Sequence, residues 1–164
     1  MIKLKDILNE SVPDNEMWHV SFKPDIKKFN PLSHFGTKKA AMDRLKQLKR
    51  RKTKFAYLYK VKLNMTSPAK VNDYPEYDDE DYKKYLMWLN DAKTFGSTIS
   101  KDIATLQIWG EDGHNVKDFF IEIMEKMGYD GLVYDNEVED VGFDSFVIFN
   151  PKQVKILKVM KINL

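Results

Sequence analysis

The chain has 164 residues, of which 43% are hydrophobic and 13% aromatic, with a formal net charge of +2 and no cysteine. That length and apolar content exclude a disordered polymer and predict one domain burying roughly two-thirds of its unfolded surface. A disulfide framework and a thiolate metal site are excluded, and no apolar run approaches the ~18 residues of a membrane span. The N-terminus carries no signal-peptide core, so a soluble protein with no membrane contact is expected.

In MIKLKDILN, residues 1, 2, 4, 7 and 8 are apolar, the spacing of a short amphipathic helix. Ser11, Pro13, Asp14 and Asn15 break it. Residues 1–12 therefore read as an N-terminal segment that can serve as a detachable targeting peptide, and residues 13–164 as the folded domain. MWHVSF, from Met17, predicts a strand with His19 and Ser21 on one face and Trp18, Val20 and Phe22 on the other. KPDIKKFNPLSH holds two prolines and predicts a loop. Thr37 is placed to cap a helix through Ala40, Ala41, Leu45 and Leu48.

FAYLYKVKLN (55–64) alternates cleanly, which predicts a strand with Phe55, Tyr57, Tyr59, Val61 and Leu63 on one face. A helix over 78–93 would group Tyr82, Tyr85, Leu86 and Leu89. Residues 95–113 are weakly patterned and fit a helical turn or a mobile loop. Asn115 is placed to cap a strongly periodic helix with Phe120, Ile123 and Met124 inside, and Gly128 to stop it. Strands over 132–134, 146–149 and 154–162 complete the chain. The order predicts an α+β fold whose late strands pair with early ones.

Charge is unevenly spread. A basic run extends from Lys38 to Lys54 and an acidic one from Asp73 to Asp81. Each can be a solvated face, and the basic helix can also meet a polyanion such as nucleic acid or a nucleotide phosphate. Five further carboxylates, Asp135, Glu137, Glu139, Asp140 and Asp144, crowd the link between the two apolar runs 131–134 and 146–149.

The three histidines, His19, His34 and His114, have no helical i, i+4 spacing and no HExxH context, so no metal site is expected. GEDG at 110–113 lacks the phosphate-loop lysine, and no Gly-x-Ser-x-Gly elbow occurs. What remains is a pair of early histidines and a late carboxylate cluster. Such a set can orient a substrate and stabilise a cation developing at an anomeric carbon. The alternative is that the acids only keep a hairpin loop soluble.

Three blocks stand in a suggestive order: WHVSF, then HFGTKKAAMDRL, then GYDGLVYDNEVEDVGFDSFVIFNPKQVKIL with its Phe149, Pro151, Gln153 and Val154. From Met17 to Leu157 they resemble the ADP-ribosyltransferase fold, especially small transferase-like domains of tailed bacteriophages, and more distantly poly(ADP-ribose) polymerase catalytic domains. The resemblance implies one α+β domain of split mixed/antiparallel sheets with flanking helices, and NAD as substrate. His19 matches the triad histidine that binds the adenosine-side ribose. Val20 stands where the family usually has glycine, and Ser21 at the following small hydroxyl. His34 falls on the triad tyrosine that stacks on nicotinamide, with Phe35 as the alternative ring.

The family's glutamate position falls on Ser145, with Asp144 one residue earlier on the opposite strand face. The resemblance therefore leaves Glu137 or Asp144 as the acid, with Asp135, Glu139 and Asp140 facing solvent. It implies an NAD-dependent ADP-ribosyltransferase acting on a host protein or nucleic acid, in the host cytoplasm or packaged in the virion through residues 1–12. Two other readings fit. One is a non-enzymatic module of this fold that binds nucleotide or nucleic acid through Lys38 to Lys54; the other is a packaged virion protein.

Overall fold

The computed structural model describes residues 16–48, 53–74, 81–92, 97–137 and 140–164. The expected amphipathic segment at 1–12, the basic residues 49–52, the acidic residues 76–80 and Glu139 lie outside them. Among the described residues the elements are β1 (Glu16–Ser21), β2 (His34–Phe35), α1 (Lys38–Leu48), β3 (Phe55–Leu63), β4 (Pro68–Lys70), α2 (Asp81–Ala92), α3 (Ser97–Glu111), α4 (Lys117–Lys126), β5 (Gly131–Asp135), β6 (Asp144–Ile148) and β7 (Val154–Asn163). The fold is α+β, with two sheets and flanking helices.

The first sheet, β1-β3-β7, is antiparallel throughout. Its central strand β3 is covered on both faces because its alternation is of size as well as polarity. Tyr59, Val61 and Leu63 pack toward the second sheet, while the smaller Ala56 and Leu58 lie under α1 with Val20, Ala41 and Leu45. Full burial of a side chain such as Leu45 or Leu58 stabilises by ~1.5–3 kcal/mol. Helix α1 begins where expected: Thr37 Oγ1 accepts the Ala40 N–H at 3.0 Å.

The second sheet has the order β2-β6-β5-β4, with β4 parallel to β5 and the other pairs antiparallel. Strand β4 is three residues, Pro-Ala-Lys, too short to show any periodicity. One face of this sheet, through Phe35, Phe146 and Ile148, meets Met17, Tyr59 and Val61 of the first sheet. The other, through Leu132, Tyr134 and Val147, packs on Trp88, Leu89, Phe120 and Met124 of α2 and α4.

Residues 97–111 form a full helix, which their weak pattern does not announce. Leu106 is the fully buried residue of α3, while Ile108 and Trp109 stay exposed. Close packing on α2 replaces a broad apolar stripe: a Cβ on Gly110 would lie 2.3 Å from Tyr82 Cγ. Helix α4 starts one residue later than a cap at Asn115 predicts: Val116 is its N-cap, with no side-chain cap bond, while Asn115 Oδ1 accepts the Lys117 N–H at 3.1 Å, and the helix stops at Gly128, φ +89°. No helix among the described residues is long and apolar enough to cross a membrane.

The sheets touch at one edge. Trp18 N–H donates to Gly36 O at 2.8 Å and Gly36 N–H to Trp18 O at 3.0 Å, joining β1 to the end of β2. A Cβ on Gly36 would meet Ser145 Oγ at 3.0 Å and the Ala40 Cβ at 3.2 Å, so any side chain at this crossing would push on both neighbours. The seam carries the candidate site.

Candidate functional site

A cleft of about 520 Å³ opens at the seam, within the usual range for small-molecule sites. Strand β1 brings His19 to it, β2 His34, β5 Tyr134 and β6 Ser145, while α1 and α2 bring Arg44 and Lys84. Asn136 and Glu137 reach it from the link after β5.

His19 is fixed by backbone. Its Nδ1–H donates to the His34 carbonyl oxygen at 2.8 Å, and its ring packs against Phe29 and Phe35 at 5.0 and 5.5 Å. A carbonyl only accepts, so Nδ1 carries the proton and Nε2 keeps its lone pair. Burial lowers the His19 pKa, opposed by that backbone bond, and the ring stays neutral near pH 7.

His34 is exposed where it lines the cleft. Its Nδ1 lies 2.9 Å from Tyr134 OH, and its ring is 6.4 Å from that of Trp88. Its pKa lies well below the usual histidine value, first through enclosure by protein and then through Lys84, His19 and Arg44. It too is neutral at pH 7.

Tyr134 and Ser145 are direct cross-strand partners, so both side chains stand on the same face of β5 and β6. Ser145 is buried and its Oγ accepts from Asn136 Nδ2 at 3.1 Å. The position that the resemblance gives to a glutamate is thus a small hydroxyl held by an amide.

Of the sequence-predicted site residues, His19, Val20, His34, Phe35, Glu137 and Ser145 line the cleft. Phe35 is 1% exposed and belongs to the core, so His34 is the ring open for stacking. The Val20 side chain packs beneath α1. Ser21 does not line the cleft; its Oγ accepts the Lys23 N–H at 3.2 Å in the turn after β1. Asp144 does not line it either. It stands opposite Asp135 on the face of β6 away from Ser145, as the period of two requires. Burial, then hydrogen bonding and repulsion from Asp135, raise the Asp144 pKa.

Asp140 corrects the expectation that it faces solvent. It is 7% exposed, accepting from Thr37 Oγ1 and from Lys39 Nζ at 2.9 Å, and so ties the β5–β6 link to the start of α1. Glu137 is exposed and anchored by its backbone N–H, which donates to Asp73 Oδ2 at 3.2 Å. Glu137 and Asp73 also border a smaller recess of about 290 Å³ shared with Asp91 and Asp135. The basic run is partly neutralised where described: Lys39 and Lys46 pair with Asp43.

Sequence reasoning missed Lys84, Tyr134 and Asn136, and it placed Arg44 in the basic run able to meet a nucleotide phosphate but not in a cleft. The helical stripe Ala40, Ala41, Arg44, Leu48 carried a signal for Arg44, and pairing GLVYD against DSFVI would have set Tyr134 beside Ser145. Lys84 and Asn136 left no such trace. No family model, characterised protein or solved structure matches the chain.

Proposed function

We propose that the chain is an NAD-dependent ADP-ribosyltransferase of the phage type, modifying a host protein or nucleic acid. The observation that carries this reading is the convergence of His19, His34, Ser145 and Glu137, from four separate segments, on one cleft at the seam of two sheets. In the reaction the ribose C1′–N bond of nicotinamide breaks, and its electron pair stays on the nicotinamide ring nitrogen. The acceptor nucleophile then bonds to C1′ and releases its proton.

Each cleft residue has a stated part. The neutral His19, with Nε2 as acceptor, takes a hydrogen bond from a ribose hydroxyl. His34, held at Tyr134, offers its imidazole plane to nicotinamide. Glu137 is the carboxylate available to stabilise the oxocarbenium-like centre, a contribution of about 3–4 kcal/mol for a single well-placed group. Asp144, turned away from the cleft, has no part.

Purified protein given labelled NAD and host lysate should release nicotinamide and transfer label. Failure of NAD cleavage, label transfer and NAD binding together would overturn the reading. One observation favours a second reading, a transferase-fold module that binds nucleotide without turnover. Ser145, at the position of the family's acid, is occupied by Asn136. NAD or ADP-ribose binding with no nicotinamide release would select it. Location in host cytoplasm or virion follows from the same family resemblance; mass spectrometry of virions that lack the chain would remove the packaged alternative.

A further inference from the structure

The mechanism above uses the strand-borne wall of the cleft and leaves its two helix-borne cations without a task. Helix α1 lays Ala40, Ala41, Arg44, Gln47 and Leu48 along the cleft. The two alanines let the helix approach closely, and Arg44 follows one turn on. Its Nη1 donates to Gln47 Oε1 at 3.3 Å, and both residues line the cleft. Lys84 arrives from α2, its Nζ 4.9 Å from the centre of the Trp88 ring. That ring is 2% exposed, and its indole N–H donates to Asn72 O at 3.2 Å, so it gives the ammonium a fixed base.

Both cations line the same cleft as His34. At neutral pH Lys84 and Arg44 carry charge and both hold the His34 pKa down, while His19 is neutral. The cleft's carboxylates, Asp73 and Glu137, lie on the side shared with the neighbouring recess. Among the described residues the cleft thus brings together two cations from α1 and α2, a neutral imidazole, and two acids that it shares with the recess. A neutral or zwitterionic ligand would gain little from the two cations. A dianion with tetrahedral oxygens matches the guanidinium fork and the ammonium together.

We propose that Arg44 and Lys84 form a subsite for the diphosphate of a nucleotide ligand. The proposal rests on the dinucleotide reading of the cleft and adds its anchoring point. Occupancy of the subsite offsets the charge of Arg44 and Lys84 at His34, whose other neighbours are His19 of β1, the Tyr134 hydroxyl of β5 and the Trp88 ring of α2.

Calorimetry of the full chain with inorganic pyrophosphate, ADP and adenosine tests this. Arg44→Ala or Lys84→Ala should weaken pyrophosphate and ADP roughly tenfold each, and the double variant about a hundredfold, with adenosine unchanged. Arg44→Lys should recover part of the loss, and the salt dependence of ADP binding should flatten in the double variant. Undiminished pyrophosphate and ADP affinity in that variant, an equal loss for adenosine, or no pyrophosphate binding by the native chain would overturn the subsite. A measurement needing no variant is the NMR titration of His34, whose midpoint should move up when pyrophosphate is added; an unmoved midpoint counts against the proposal.

The two readings fail separately. Nicotinamide release with an unchanged KM in the double variant removes the subsite and keeps the transferase. Pyrophosphate and ADP binding through Arg44 and Lys84 without NAD cleavage removes the transferase and keeps the subsite.

Discussion

The wall of the cleft and the link that carries its acids are built by different means. His19, His34, Tyr134 and Ser145 stand on strands, each set by ladder register and a named hydrogen bond. Glu137 sits in the link between β5 and β6 and is tied by its backbone rather than its carboxylate. The wall is pre-positioned whatever the cleft contains, whereas the Glu137 carboxylate can take its place against a ligand. Groups that bind are rigid here, and the group assigned to the chemistry is adjustable.

Glu137→Gln is the sharpest way to break that contrast. Under the proposed function, nicotinamide release should fall about 10²–10³-fold, the scale for one electrostatic group, while NAD affinity changes only a few-fold. Calorimetry beside a nicotinamide-release assay separates the two. A large loss in Asp144→Asn with Glu137→Gln active would move the chemistry to the other carboxylate and sink this assignment.

Changes in the wall should act on structure first. Gly36→Ala places a methyl 3.0 Å from Ser145 Oγ and 3.2 Å from the Ala40 Cβ, forcing strand and helix apart at the seam. Overpacking of this kind costs typically 1–3 kcal/mol, measurable by chemical denaturation. An unshifted midpoint would mean that the seam is more compliant than its geometry. Tyr134→Phe is smaller still. Loss of the hydroxyl beside His34 should cost about 1 kcal/mol and loosen NAD binding through the freed ring. Unchanged stability and unchanged affinity would both argue that His34 is held by packing alone.

Much of the fold was legible in the sequence because its elements advertise themselves locally. The alternation of β3, the Thr37 cap and the stripe ending at Gly128 each report a nearest-neighbour constraint. Helix α3 and strand β4 did not, since one packs through a glycine and the other is three residues of borrowed pairing. The site was legible where a residue sits on a patterned strand, as with His19 and His34. It was not legible where contact across 100 residues decides, as with His34 and Tyr134, or where two helices converge, as with Arg44 and Lys84. Asp140 and Asp144 show the limit best. They stand four residues apart, one in the link and one at the start of β6, yet Thr37 and Lys39 meet the first while Asp135 opposes the second.

That last pair gives the subtlest prediction, with opposite signs from neighbouring carboxylates. The hydrogen bond from Thr37, then that from Lys39, lowers the Asp140 pKa below its ordinary 3.8. A lowered folded-state pKa means that its stabilisation is present above 3.8 and is lost as pH falls through the folded value. Asp144 runs the other way: its pKa is raised, so its contribution is complete below 3.8 and is lost as pH rises through the raised value. At neutral pH, Asp140→Asn should therefore unfold at a lower temperature than the native chain, and Asp144→Asn at a higher one. Below the folded pKa of Asp140 both carboxyls are protonated in the native chain, and the three melting curves should converge. Thermal unfolding followed from pH 7 into acid checks both signs at once. Melting differences of the same sign for the two variants would show that the two carboxylates are equivalent solvated charges, and the distinction between the tethered and the opposed acid would fall.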